Sequence, residues 1–188
     1  MKKIIFTIIG VIILVGFGWY LMSQEGKPVV TNNFASVPAD QQLLANMQKA
    51  GLDPLTTEGT VMHIHQHLDI IINGQHMTVP ADIGIGSNFI SAVHTHDDTG
   101  VLHVESPVKK DYTLGQFFDE WGVTLSDTCV ANFCNDSSHK LVVGVNGKAV
   151  TSNVHGIVLH EHDEITVWYG LSSQTPDLIA SYNFAPGL

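Results

Sequence analysis

The chain has 188 residues, a formal net charge of −10 at pH 7, and 8 basic residues, all of which are lysine. Because nucleic-acid binding requires a basic surface, this charge argues against a nucleic-acid partner. The lack of arginine argues against enzymes that process phosphates or carboxylates, since bidentate anion sites are usually built from it. The 11 histidines point to metal or proton chemistry, because histidine is the commonest metal ligand and titrates near neutral pH.

The N-terminal segment is predicted to be a membrane anchor. Two lysines precede about 19 mostly apolar residues, which suffice to cross a hydrocarbon core of about 30 Å. Because positive charges favour the cytoplasmic side, the lysines place the N-terminus in the cytoplasm. A cleaved signal peptide is the alternative, but Trp19 and Tyr20 stand where a small-residue cleavage site is expected. We expect a single-pass anchor in the cytoplasmic membrane over residues 1–22, a linker over 23–39 and an extracytoplasmic domain over 40–188.

The domain is predicted to begin with a helix and a strand that carries histidines. Asp40 suits an N-cap and Gly51 suits the position after a helix, with apolar residues at helical spacing between them. Residues 61–72 alternate in the manner of a strand, and Asn73-Gly74 predicts a hairpin turn after it. One face of this strand carries His63, His65, His67 and Asp69, and the other carries Ile64, Leu68, Ile70 and Ile72.

Residues 92–105 are predicted to form a second hairpin, and they carry the main candidate site. The residues from Asp97 to Gly100 are typical of a turn, and a turn there fixes the register of the two strands. His94 should then lie opposite His103, and His96 opposite Val101. Side chains two residues apart share a strand face, and opposed Cβ atoms are about 4.5–5.5 Å apart. Three imidazoles therefore converge into a cup with an open position, which suits a divalent metal.

The predicted ligands of this cup are His94, His96 and His103. Histidines spaced by two along one strand are about 6.5–7 Å apart, too far for three to hold one ion unaided. We therefore expect the first strand to contribute one or two further ligands that complete the cup, and His65 and His67 are the candidates. The carboxylates expected to accept the second imidazole N–H are Asp97, Glu105 and Asp69. The alternative is a solvated sheet face that is merely rich in histidine.

The second half of the chain is predicted to contain a helix followed by strands. Thr113 suits an N-cap, Gly122 suits the helix end, and the aromatic residues between them should cover the sheet. The turn before the last strand carries His160 and His162, which are candidates for a second ion. Strands are expected over residues 140–145, 148–150, 156–159 and 164–169, with a tail packed across the domain over 176–188.

Cys129 and Cys134 are the 2 cysteines of the chain. Outside the cytoplasm an even number of cysteines favours a disulfide, which here would close a small ring after the helix. A soft-metal pair and a redox-active dithiol are the alternatives, although the redox motif has two intervening residues rather than four.

The order of elements predicts a single α+β domain with an antiparallel or mixed sheet covered by one main helix. Its second half resembles a β-grasp unit, in the helix start at 113–118, the strand and turn at 143–147 and the strand at 163–167. It is similar in this respect to the ubiquitin-like sulfur carriers and to the small β-grasp domains of cobalamin-binding proteins. The chain lacks the Gly-Gly end of a sulfur carrier, so that activity is not implied, and fold likeness says little about function.

Several motifs also resemble a group of uncharacterised, membrane-anchored, His-rich bacterial and archaeal proteins. The likeness extends over residues 56–188 and implies the domain boundaries, but no activity. The segments that carry it are His63-x-His65-x-His67-Leu68, the segment 79–85, His94-Thr95-His96-Asp97, the segment 100–107 and the segment 113–118.

Three functions follow from these patterns. The first is a membrane-tethered, outward-facing protein that sequesters, senses or delivers a transition metal. Nitrogen ligands without a compact thiolate set favour Zn²⁺, Cu²⁺ or Ni²⁺ over Cu⁺ or Ca²⁺, and zinc or copper is the expected metal. The second is a zinc-dependent hydrolase or hydratase, because a His₃ site lowers the pKa of bound water to about 7, with Glu105 or Asp97 transferring protons. The third is a metal-free structural or interaction module with pH-responsive histidines.

Overall fold

The computed structural model describes residues 33–188. The predicted anchor over residues 1–22 lies outside this range, as does much of the predicted linker. Within residues 33–188, no helix combines the length and the apolar character needed to cross a bilayer. The helices are α1 (Asp40–Ala50) and α2 (Leu114–Trp121), with short 3-10 helices at Asn33–Ala35 and Val154–Gly156. The strands are β1 (Met62–Ile72), β2 (Gln75–Met77), β3 (Val93–His94), β4 (Val101–Ser106), β5 (Cys129–Val130), β6 (Phe133–Cys134), β7 (His139–Val145), β8 (Lys148–Val150) and β9 (Glu164–Leu171).

Seven of the strands described for residues 33–188 form one mixed sheet in the order β3-β4-β1-β9-β7-β8, with β2 paired to β1. The central strands β1 and β9 are parallel, and the other neighbouring pairs are antiparallel. The predicted α+β class with a mixed sheet is thus confirmed. Strands β5 and β6 form a separate hairpin in which Cys129 and Cys134 are paired and joined by a disulfide, as predicted.

Two helices cover one face of the sheet, where the sequence predicted one main helix. Helix α2 begins as expected, because the Thr113 side chain accepts from the Gln116 backbone and Gln116 bonds back to Thr113 in a capping box. Helix α1 starts at Asp40, which is its first residue rather than its N-cap. The two helices are linked by Gln116 Nε2, which donates to the Ala50 carbonyl at 3.0 Å. Buried side chains between helices and sheet include Leu43, Met47, Phe117, Phe118, Ile70 and Val104.

Part of the opposite face of the sheet is covered by the C-terminal tail. Tyr182 stacks on His67 with ring centroids 3.7 Å apart, and the Ile179 backbone donates to Thr166 Oγ1 at 3.0 Å. The predicted packing of this tail across the domain is therefore observed. The strand predicted over 156–159 is wrong, because only one bridge forms there, between Val158 and Thr113.

Candidate metal centre

Strand β4 lies between β3 and β1, and this order brings three histidines into one row. His103 of β4 pairs with His94 of β3 on one side and with His65 of β1 on the other. Because directly opposed residues share a face, the three side chains project from the same side of the sheet. The predicted pairing of His94 with His103 is confirmed, and the three residues are buried.

Glu105 occupies the next position on the same face of β4, directly opposite His63 of β1. Its Oε1 lies 3.2 Å from Nδ1 of His103 and 3.3 Å from Nε2 of His63. The carboxylate expected behind the ligands thus lies among them. Alternation in the sequence predicts the face on which His63 lies but not the strand beside it, so His63 joins the site only through the pairing of β1 with β4.

His96 reaches the cluster from a loop rather than from a strand. Strand β3 ends at His94 because the next residue, Thr95, bonds through its backbone to Asp82 and Ile83 instead of to β4. His96 still lies in the cluster, because its ring centroid is 4.6 Å from the ring centroid of His103. His94, His96 and His103 therefore converge as the sequence predicted, although the hairpin that holds them is shorter.

The spacing of the ligand atoms suits metal ions. Neighbouring ligands of a tetrahedral ion with bonds of about 2.0–2.1 Å are about 3.3 Å apart. The Nε2 atoms of His94 and His96 are 3.1 Å apart, and those of His63 and His65 are 3.2 Å apart. Two sets of four residues have ligand atoms that all lie within 4.8 Å of one another. The hairpin set is His94, His96, His103 and Glu105, and the strand set is His63, His65, His103 and Glu105.

Burial holds the three inner imidazoles in the neutral form. Together with a smaller contribution from the nearby His96, it lowers the pKa of His94 to about 3. Burial also lowers the pKa of His65 and of His103 to about 4, with smaller contributions from neighbouring histidines. Metal ions bind the neutral imidazole, so these three rings are in the ligand form at neutral pH.

His67 and Asp69 lie outside both sets, in a third group with Glu164. Both nitrogens of His67 are already engaged, Nδ1 with Glu164 Oε2 at 2.8 Å and Nε2 with the Thr99 carbonyl at 2.9 Å. Burial alone would lower the pKa of His67, but the hydrogen bond and charge of Glu164 outweigh it and raise that pKa. This geometry is that of a buried histidine–carboxylate pair, and the structure does not bring His67 to the cup.

Three other candidates have local partners. Asp97 accepts hydrogen bonds from the backbone and the hydroxyl of Thr99, which lower its pKa and stabilise the turn after His96. His160 lies 3.2 Å from Asp163, and the ring of His162 contacts the Leu188 carbonyl at 2.9 Å. Among residues 33–188, neither histidine belongs to a group of side chains whose ligand atoms are close enough together to hold a metal ion.

A cavity of about 630 Å³ lies beside the hairpin set. His96 and Asp97 form part of its wall, and the apolar residues Phe34, Met77 and Pro80 form another part. An ion bound by His96 would therefore stand next to a space that can admit a small molecule.

Comparisons of the chain with protein families, with curated proteins and with solved structures found no match. The function of this chain is therefore inferred from the chemistry of the cluster itself.

Proposed function

We propose that this protein binds a divalent transition metal, zinc or copper(II), through the hairpin set. The observation that carries the proposal is the convergence of three imidazoles on one carboxylate, with the His94 and His96 nitrogens 3.1 Å apart. Nitrogen and oxygen ligands favour Zn²⁺ or Cu²⁺, and both cysteines are bonded to each other, so no thiolate is available to favour Cu⁺.

We further propose that the domain is tethered to the outer face of the cytoplasmic membrane, where it sequesters, senses or delivers its metal. The support is the basic and apolar sequence of residues 1–22, together with the disulfide, which is typical of oxidising compartments. We also infer a β-grasp-like arrangement, since the hairpins β1-β2 and β7-β8 flank helix α2 and the last strand returns parallel to β1.

Elemental analysis of the untagged full-length chain, reconstituted in detergent with Zn²⁺ or Cu²⁺ and then dialysed, tests metal binding. We expect at least about one tightly bound ion per chain. The variant His94→Gln/His96→Gln should lose an ion, because it removes two ligands from one set. A control variant, His139→Gln/His155→Gln, removes as many histidines from outside the clusters and should keep the metal. Less than about 0.2 equivalents in the wild type would contradict the proposal.

A zinc-dependent hydrolase or hydratase is the second candidate, and the cavity beside His96 favours it. A zinc ion there would carry a water of lowered pKa at the edge of a space large enough for a substrate. A panel of ester, lactam and CO₂ substrates tests this activity. Turnover that requires zinc and disappears in His94→Gln/His96→Gln supports the enzyme, whereas tight binding without turnover supports the metal-binding role.

A further inference from the structure

The ligand atoms of the cluster are spread too widely for one ion to contact all of them. Even the most distant ligands of a six-coordinate ion, with bonds of about 2.1 Å, are about 4.2 Å apart. The six donor residues fall into two overlapping sets at a limit of 4.8 Å rather than into one set of six. A single ion can therefore satisfy the hairpin set or the strand set, but not both together.

The two sets are arranged as two histidine pairs on either side of a shared centre. His94 and His96 form one pair and His63 and His65 form the other, with nitrogen separations of 3.1 Å and 3.2 Å. Between them lies Glu105, whose Oε1 is 3.3 Å from His63 Nε2 and 4.0 Å from His94 Nε2. The same oxygen thus lies near both pairs, and because a carboxylate has two oxygens it can hold one ion with each.

Each pair combines one buried ring with one that reaches solvent. The side chains of His63 and His96 are 53% and 41% exposed, whereas His65 and His94 are buried. The buried rings are held in position by the sheet, and the exposed ring of each pair is in contact with solvent. Each half of the cluster thus has its own route to solvent.

Acidic side chains lie on both sides of the cluster. Glu58 lies 3.5 Å from His96 Nε2, and Asp97 interacts electrostatically with His96 and His103. On the other side Glu161 interacts electrostatically with His65. Together with Glu105 these carboxylates supply four negative charges, which equals the four positive charges of two divalent ions.

We propose that the cluster is a two-metal centre, in which the hairpin set holds one ion, His63 and His65 hold a second, and Glu105 bridges them. This inference rests on the proposed metal-binding function and extends it. Two metals bridged in this way lie about 3.5–4 Å apart, close enough for Cu²⁺ ions to couple magnetically.

Copper content and electron paramagnetic resonance of the untagged full-length chain test the proposal. The wild type should bind two Cu²⁺ per chain and give a spin intensity well below its copper content. His63→Gln/His65→Gln should bind one Cu²⁺ with full intensity, because the remaining ion has no partner. The control His139→Gln/His155→Gln should behave as the wild type, and circular dichroism of each variant checks folding.

The outcomes separate this inference from the proposed function. One Cu²⁺ at full intensity in the wild type overturns the second ion and leaves the metal-binding role intact. Two ions that persist in the folded His63→Gln/His65→Gln variant place the second ion elsewhere and also overturn the proposal. Two ions that give full intensity contradict the bridge. A wild type without bound metal overturns both.

Discussion

Three imidazoles in the cluster are neutral because the sheet buries them. In an unfolded chain a histidine has a pKa of about 6.5. In the folded, metal-free chain burial lowers the pKa of His65 and of His103 to about 4, and that of His94 to about 3. Between these values the unfolded chain takes up protons that the folded chain does not. These histidines therefore leave folding unaffected above about pH 6.5 and oppose it increasingly as the pH falls towards 3–4.

We predict that the chelator-treated protein loses thermal stability between pH 7.5 and pH 4.5, by at least about 5 °C. Unfolding followed by circular dichroism in the presence of EDTA measures this change. The variant His65→Gln/His94→Gln/His103→Gln should have a shallower pH dependence, because it keeps the acidic residues and removes the three buried bases. Equal slopes in the two proteins would contradict the assignment of the pH dependence to these rings.

The turn between β3 and β4 is fixed to β1 by a close backbone contact at Gly100. Gly100 has a φ of +88°, and its carbonyl accepts from the Leu68 backbone N–H at 2.9 Å. A Cβ at this position would lie 2.8 Å from the Leu68 carbonyl oxygen and 3.0 Å from His67 Nε2. The left-handed conformation and the lack of space both require glycine.

We predict that Gly100→Ala lowers the free energy of unfolding by about 2–3 kcal/mol and weakens metal binding, because β4 begins at the next residue. Chemical denaturation and a competition titration against a chelator measure the two effects.

The control is Gly74→Ala, in the turn between β1 and β2. Gly74 has a similar φ of +79°, but a Cβ there meets nothing within 4 Å. This variant should lose only the conformational contribution, about 1 kcal/mol, and keep its metal affinity. Equal losses in the two variants would show that the contact with Leu68 contributes nothing.

At the scale of the whole molecule, the sheet separates structural packing from chemistry. One face packs on α1 and α2, and the other carries the hairpin set, the strand set and the C-terminal tail. The disulfide between Cys129 and Cys134 lies in the separate hairpin β5-β6, after helix α2. Substitutions remote from the cluster should therefore change stability without changing metal binding.

We predict that Cys129→Ser/Cys134→Ser lowers the free energy of unfolding by about 2 kcal/mol, the value expected for a ring of this size. The copper and zinc content should stay unchanged, since neither cysteine contacts the cluster. Denaturation and elemental analysis of the same samples measure both quantities. A loss of metal from a variant that remains folded would mean that the hairpin β5-β6 supports the site.

Local patterns in the sequence determined much of this protein. Alternation placed His63, His65 and His67 on one face of β1, and turn chemistry gave the pairing of His94 with His103. The capping residues gave the start of α2 and its end at Gly122. These features depend on residues within one hairpin or one helix, whose geometry is set by short-range sterics and hydrogen bonds.

Only the tertiary structure decided which strands became neighbours. The pairing of β1 with β4 placed His65 beside His103 and brought His63 to Glu105, and the parallel pairing of β1 with β9 gave His67 to Glu164. Residues two apart on one strand look alike in the sequence, yet their neighbours differ. His65 lies opposite His103 of β4, whereas His67 lies opposite Val101 of β4 and also beside Glu164, where β9 begins. Contacts between distant segments depend on how the whole sheet covers its core, and no local pattern encodes that choice.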